Sequence, residues 1–394
     1  MEYASLKNAF QTIFSRYESP RIFFAPGRIN LIGEHTDYNG GYVFPASISF
    51  GTYAVALKRN DRKIRLYSLN FKESGIIEVD LDTLTYNKAH QWANYPKGMV
   101  KEILAITPNI ITGFDVLYYG NIPNGAGLSS SASIEMVTGV LLDKLYELSL
   151  DRIQLIKISQ YVENTYIGVN SGIMDQFAIG MGKRNHAILL DCNTLEYTYA
   201  PLSLNHYDIV IMNTNKRREL ADSKYNERRS ECERARSDLQ IALNIKHLGD
   251  LSIDRFEANK HLIKNEKDQK RAKHAVYENA RTKQALEALQ ANDLHLFGQL
   301  MNQSHLSLQH DYEVTGIELD TIVSAAWEEP GVLGARMTGA GFGGCAIALV
   351  PSDQVEAFKT NVNTTYTEKI GYDASFYVAA IGDGAKELKT EGVL

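Results

Sequence analysis

The sequence predicts an α+β protein of two domains, and three observations carry that prediction. Its 394 residues exceed what one hydrophobic core usually covers. Over the first 200 residues, short β-branched and aromatic runs mix with helical stretches in irregular order. A link at 200–207 precedes a change to long, charged helical segments across roughly 216–305, which gives domains 1–206 and 207–394. An apolar content of 44% is enough to build both cores.

The elements follow in order. MEYASLKNAFQTIF carries Glu2 early and interrupts its apolar residues with polar ones, so it reads as a short amphipathic helix and not a signal peptide. Phe23–Ala25, Tyr42–Phe44, Tyr53–Leu57, Ile64–Tyr67, Phe114–Tyr119 and His186–Leu190 are strand candidates. Asn39-Gly40, between two of these runs, is a hairpin signal. Ile134, Val137, Leu141, Leu145 and Leu148 step by three or four and mark one helix face. APLSLNHY (200–207) reads as a link, followed by the strand candidate Ile209–Met212. Across 216–305, Arg229 with Glu233 and Glu231 with Arg234 stand at helical spacing, which predicts a solvated, structural face.

The bulk numbers exclude several classes. A net charge of −6 argues against a general nucleic-acid binder. Cys192, Cys232 and Cys345 are odd in number and far apart, so neither a disulfide framework nor a metal spacing emerges, and a reducing compartment fits. No run approaches the length of a membrane span. A soluble cytoplasmic protein is expected, with no internal repeat and no low-complexity tract.

Three motifs carry chemistry. Residues 23–44, FFAPGRINLIGEHTDYNGGYVF, place Arg28, Asn30, Glu34, His35 and Asp37 between turn formers, a density of directional polar groups suited to a hydroxyl-rich molecule. Residues 123–135, PNGAGLSSSASIE, lie between a strand and a helix, where backbone N–H groups and the helix dipole favour an anion. Gly125 and Gly127 permit positive φ and close approach, while Ser129, Ser130 and Ser131 add hydroxyls; a serine N-cap on a glycine-rich turn is the plainer alternative. The loop matches neither GxxxxGK[ST] nor GxGxxG. The third cluster, Met337 to Cys345, runs into the apolar Ala346–Val350. It either brings a second loop against phosphates, braces the first loop, or forms a tight turn before a buried strand. Cys345 reads as packing.

Taken together in this order, the motifs resemble those of the GHMP kinases (galacto-, homoserine, mevalonate and phosphomevalonate kinases), most closely the galactokinase family. GRINLIGEHTDYNGG is similar to that family's signature, PNGAGLSSSAS to the superfamily's phosphate-binding loop, and TGAGFGGCAIAL to its third motif. The similarity continues through WANYPKG, SGIMDQF and TNKRRELADSKYNERR and so spans nearly the whole chain. It implies an N-terminal domain like ribosomal protein S5 domain 2, a ferredoxin-like C-terminal domain, and substrates in the cleft between them. It also implies ATP-dependent phosphorylation of D-galactose at its anomeric hydroxyl, giving galactose 1-phosphate and ADP, the first committed step of galactose catabolism.

The resemblance assigns roles residue by residue. Asp175, in the apolar run IMDQF, matches the catalytic aspartate, and Arg28 the arginine that pairs with it and stabilises the transferring group. Glu34, His35, Thr36, Asp37, Gly172 and Tyr225 match the substrate-binding set; carboxylates suit hydroxyls because each accepts several hydrogen bonds. Ser68 and the loop residues Gly125, Ala126, Gly127, Leu128, Ser129, Ser130 and Ser131 fall at ATP contacts, and Trp92 at a nucleotide contact or a core position. Ser131 and Glu163 match the ligands of Mg2+. The partners implied are galactose and MgATP, without nucleic acid or membrane, to a monomer. Two alternatives stand: a kinase for N-acetylgalactosamine or arabinose, and a non-catalytic galactose- and ATP-binding regulator. Such regulators lack two residues of the serine loop, whereas Ser131-Ala132 are present here.

Overall fold

The computed structural model describes residues 3–107, 109–123, 125–216 and 221–389. Helix α1 (Tyr3–Phe14) buries Leu6, Phe10 and Phe14, a stripe repeating every fourth residue. Strands β1 (Arg21–Asn30), β2 (Tyr42–Val43), β3 (Pro45–Lys58), β4 (Lys63–Ser68) and β5 (Ile77–Asp80) precede helix α2 (Asn94–Ile106) and strand β6 (Phe114–Gly120). Helices α3 (Ser130–Tyr146), α4 (Arg152–Tyr161) and α5 (Met174–Met181) lead to β7 (His186–Asp191) and β8 (Tyr197–Pro201). Strand alternation divides the apolar residues between two faces. Val55 and Leu117 meet α1, whereas Ala54, Ala56, Val116 and Tyr118 meet α2 to α5.

The remainder contains β9 (Tyr207–Asn213), α6 (Ala221–Gln240), α7 (Ile253–Asn259), α8 (Glu266–Gln290), α9 (Leu294–Ser307), α10 (Gly316–Trp327), β10 (Gly334–Thr338), β11 (Cys345–Pro351), α11 (Val355–Ile370) and β12 (Ser375–Ala379). Its antiparallel sheet has the order β10-β11-β9-β12. Val210, Met212, Ala346 and Ala348 face the core under its helices. Ile209, Ile211, Ile347 and Leu349 face the other way, into a core shared with Ile29, Leu31, Ile32 and Phe44. Cys345 packs in that shared core. The last strand, β13 (Lys386–Leu388), returns to the first sheet and completes the order β13-β1-β3-β6-β4-β5. Among the described residues, no helix is long and apolar enough to cross a membrane.

Three sequence expectations need correction. Asn39-Gly40 does not close a two-residue hairpin: β1 pairs with β3, while Tyr42–Val43 pair with β7, so residues 31–44 form a loop over the second half. The link is shorter than 200–207, since Ala200 and Pro201 end β8 and Tyr207 begins β9. Arg229 does pair with Glu233, at 3.2 Å, but Glu231 is buried against Arg228 and Arg271, and Arg234 binds Asp268 instead.

The first sheet carries one fully buried carboxylate, Asp115, whose oxygens lie 2.6 Å from Arg65, 3.0 Å from Arg59 and 3.3 Å from Arg16. Removing it leaves three guanidinium groups without their shared counter-charge. Asp115→Asn is expected to cost about 3 kcal/mol of stability, read as a lowered urea midpoint at unchanged m-value.

Candidate active site

A β-bulge after Pro26 breaks the β1–β3 register and turns the next residues toward the loop at 125–131. Only glycine fits at position 27, because a Cβ there would stand 2.6 Å from the Leu128 carbonyl oxygen. The Arg28 N–H donates to that oxygen at 3.2 Å, and its Nη1 donates to the Gly127 carbonyl at 2.7 Å. The guanidinium, 5% exposed, then forms a two-pronged pair with Asp175: Nε to Oδ1 at 2.9 Å and Nη2 to Oδ2 at 2.8 Å. Asp175 enters from the first turn of α5 with its side chain 27% exposed, so the carboxylate still faces the cleft.

In the glycine-serine loop, Gly125 (φ 68°) and Gly127 (φ 70°) are left-handed, and so is Ser129 (φ 64°). A serine held there is strained by roughly 1 kcal/mol. Ser129 does not cap helix α3; its hydroxyl donates to Asp175 Oδ2 instead. The plainer reading of this serine as an ordinary N-cap therefore fails. The N-terminus of α3 keeps its backbone N–H groups free of a side-chain cap and facing the cleft, an anion-binding arrangement.

Ser131 Oγ lies 2.7 Å from Glu163 Oε1. Glu163 sits in the π-turn Val162–Ile167 that ends α4 and is 6% exposed, not a solvated helix glutamate. Its other oxygen accepts from Gln176 Nε2 at 2.6 Å and Ser171 Oγ at 3.1 Å. Burial, with the neighbouring Asp175 charge, pushes the Glu163 carboxyl up. Among the described residues, no three His, Cys, Asp or Glu side chains gather as a metal site. Two hard oxygen groups beside a phosphate loop nonetheless fit a cation that takes its remaining ligands from a nucleotide and water.

The other end of the cleft is built by residues 34–37. Glu34 Oε1 accepts from the Gly339 N–H at 2.6 Å, and Oε2 from Asn30 Nδ2 at 2.5 Å and Arg336 Nη2 at 2.9 Å. Asp37 is raised from 3.8 to about 6, first by burial and then by the charge of Asp175. Burial lowers His35 to about 3, so its ring is neutral at pH 7. Tyr225 closes the wall, its ring centroid 5.6 Å from that of His35.

These groups surround one cleft of about 370 Å³ that takes in Arg28, Glu34, His35, Asp37, Glu163, Gly172, Asp175, Tyr225 and every loop residue from Gly125 to Ser131. Three sequence candidates are not brought into its lining. Thr36 is buried, its hydroxyl facing the carbonyls of Gly33 and Tyr42 at 2.8 and 2.6 Å. Ser68 is buried at the end of β4, its hydroxyl accepting the Asn70 N–H. Trp92 lies in the first core, stacked on Phe71 and edge-on to Tyr118. Sequence reasoning missed Arg336 and Gln176. A lone arginine in LGARMTG and an amide in an apolar IMDQF were the available signals. The third glycine cluster serves as a brace: Gly339 binds Glu34 and approaches Gly127.

This architecture, with a glycine-serine loop at a helix N-terminus and an arginine-paired aspartate in one cleft, is that of a small-molecule kinase of the GHMP class, and comparisons agree. The galactokinase galactose-binding signature matches residues 8–58, the GHMP kinases N terminal domain 94–183, and the GHMP kinases C terminal 285–368. The galactokinase of Exiguobacterium sibiricum is 62% identical across 98% of both chains. That of Streptococcus suis is 60% identical across 98% of this chain and 99% of its own. A crystal structure of Lactococcus lactis galactokinase complexed with galactose superposes with a TM-score of 0.96 at 55% identity, covering 98% of this chain and 99% of that one. Methanococcus jannaschii mevalonate kinase, 20% identical with a TM-score of 0.67 over 93% of this chain and all of its own, shares the fold. The chain belongs to the galactokinase family, and it is a kinase with the divalent-metal requirement general to ATP-using enzymes.

Gly172 offers a sharp test of the geometry, because a Cβ on it would lie 1.8 Å from Asp37 Oδ2. Gly172→Ala is expected to raise the sugar KM at least about tenfold by displacing that carboxylate. The KM for ATP is expected to change less than threefold, roughly, in the same steady-state assay.

Proposed function

We propose that this protein phosphorylates D-galactose at its anomeric hydroxyl, using MgATP in the cleft between an N-terminal domain (1–206) and a C-terminal domain (207–394), as a cytoplasmic monomer. The observation that carries this reading is the Arg28–Asp175 pair, set between the hydroxyl-binding groups at 34–37 and the serine loop. Asp37, His35, Glu34, Gly172 and Tyr225 hold the sugar. The backbone of Gly125–Ser131 and the N-terminus of α3 hold the phosphates. A magnesium ion at Ser131 and Glu163 would neutralise charge on the phosphoryl oxygens.

Asp175 accepts the hydrogen of the anomeric hydroxyl and takes its proton as the oxygen attacks the γ-phosphorus. The bond from that phosphorus to the β,γ-bridging oxygen breaks, and its electrons leave with ADP. Arg28 holds the carboxylate in place and lies beside the charge that develops on the transferred group. The intact Ser131-Ala132 favours a catalyst over a non-catalytic regulator. An ADP-release assay with a panel of sugars tests the assignment. Galactose is expected to give the highest kcat/KM; a preference for N-acetylgalactosamine or arabinose would overturn the sugar, and no sugar-dependent turnover would overturn the kinase reading.

Two further outcomes are expected. Asp175→Asn should lower kcat by at least about a thousandfold while the galactose Kd, measured calorimetrically without nucleotide, stays within a few-fold. Asp37, raised to about 6, must be ionised to accept sugar hydroxyls. Galactose affinity is therefore full above that pH and falls up to about tenfold per pH unit below it. The sign for stability is opposite: a raised carboxyl favours the folded state in acid and loses that contribution as pH rises through about 6. Asp37→Asn should bind weakly with a flat profile.

A further inference from the structure

His35 occupies a conformation that its surroundings must enforce. Its φ of 60° is left-handed, and Asn39 Nδ2 holds its carbonyl at 2.8 Å. The ring lies among aromatic neighbours, with centroids 4.7 Å from Tyr312 and 5.9 Å from Tyr38. Nδ1 is 2.8 Å from Tyr38 Oη, which is 2.7 Å from Tyr312 Oη, which in turn is 3.2 Å from Cys232 Sγ. At the other side of the ring Nε2 is buried without a hydrogen-bond partner, in the wall of the cleft. The row of contacts therefore starts at a thiol on α6, passes through two phenols, and ends at a ring in the wall of the cleft.

A neutral imidazole has one donor nitrogen and one acceptor. Each contact takes one proton, and in every permitted order but two, all toward His35 or all toward Cys232, one buried phenol accepts twice and leaves its own hydrogen off the row. Two features separate these two orders. Only the order toward His35 leaves every hydrogen of the row, the S–H and both O–H groups, donated to a neighbour. The order toward the histidine also ends on imidazole nitrogen, a far better acceptor than a thiol.

We infer that Cys232, Tyr312 and Tyr38 form a hydrogen-bond relay that fixes His35 as its Nε2–H tautomer, so that it meets the sugar as a donor. Tyr38 and Tyr312 are positioning residues, since neither lines the cleft. A hydroxyl that accepts from Nε2–H spends its own hydrogen on a neighbouring carboxylate, so the site reads both the oxygen and the hydrogen of one hydroxyl. The inference rests on the reading of the cleft as a sugar site for its consequence, though not for the tautomer itself.

The test has two arms. In ligand-free protein labelled with 15N-histidine, long-range proton–nitrogen correlation spectra at pH 7.5, with the His35 signals assigned by their loss in His35→Gln, should show a protonated Nε2 and a bare Nδ1. A protonated Nδ1, or exchange between both tautomers, would overturn the relay. Tyr38→Phe should lose that signature and raise the galactose KM about fivefold to tenfold, with kcat and the ATP KM within about twofold. Retention of both tautomer and KM in that variant would also overturn it. A wild-type protein with the Nε2–H tautomer but no galactose turnover would support the relay and count against the proposed function.

Discussion

The buried contact between Glu34 and Arg336 is the joint on which the cleft depends. Arg336 is wholly inaccessible, on β10, and besides Glu34 it donates to the Asn30 carbonyl at 3.0 Å and to Ser304 Oγ at 3.2 Å. The adjacent Thr338 hydroxyl exchanges hydrogen bonds with the main chain of Asn30, accepting from N–H at 2.9 Å. The end of β1 and the loop after it are thereby tied to the second sheet. A buried ion pair contributes little net stability against an apolar substitute, but an orphaned partner is costly. Its value here is geometric: the pair permits one register of residues 28–37 against the third glycine cluster. That register sets where Arg28, His35 and Asp37 stand.

Much of this was legible in sequence because local pattern and local geometry agree. The stripe Leu6–Phe10–Phe14, the helix over 130–146 and the apolar run 346–350 each report a face that must be buried, and they form where the pattern puts them. The glycines of the phosphate loop were legible for the same reason, since positive φ and close approach are local demands. The hairpin signal at Asn39-Gly40 failed because distant groups compete for the chain. Asn279 accepts the Tyr42 N–H and Glu278 the Gly33 N–H, so α8 holds the loop that a tight turn would have closed. Glu231 was misread as a surface charge because its partner Arg271 lies 40 positions away. Arg336 escaped notice for a similar reason, being 302 positions from the carboxylate it holds.

The electrostatics of the cleft explain why three carboxylates stand so close together. The charge of Asp175 pushes up both Asp37 and Glu163, each already raised by burial. Arg28, engaged on Asp175, offsets part of the repulsion among these carboxylates. On the proposed reading of the cleft, each carboxylate would be relieved by a different event: Asp37 by hydroxyl donors, Glu163 by a cation, and Asp175 by the proton of the reacting hydroxyl. The charges would then be matched to the complete set of reactants and not to any one of them. A cation at Glu163 or a proton on Asp175 would lower the cost of ionising the neighbouring carboxylates, and such couplings act in both directions because they are free energies between sites. On the same reading, Asp175 would be flanked by satisfied neighbours only when the hydroxyl, the cation and the phosphates are present together.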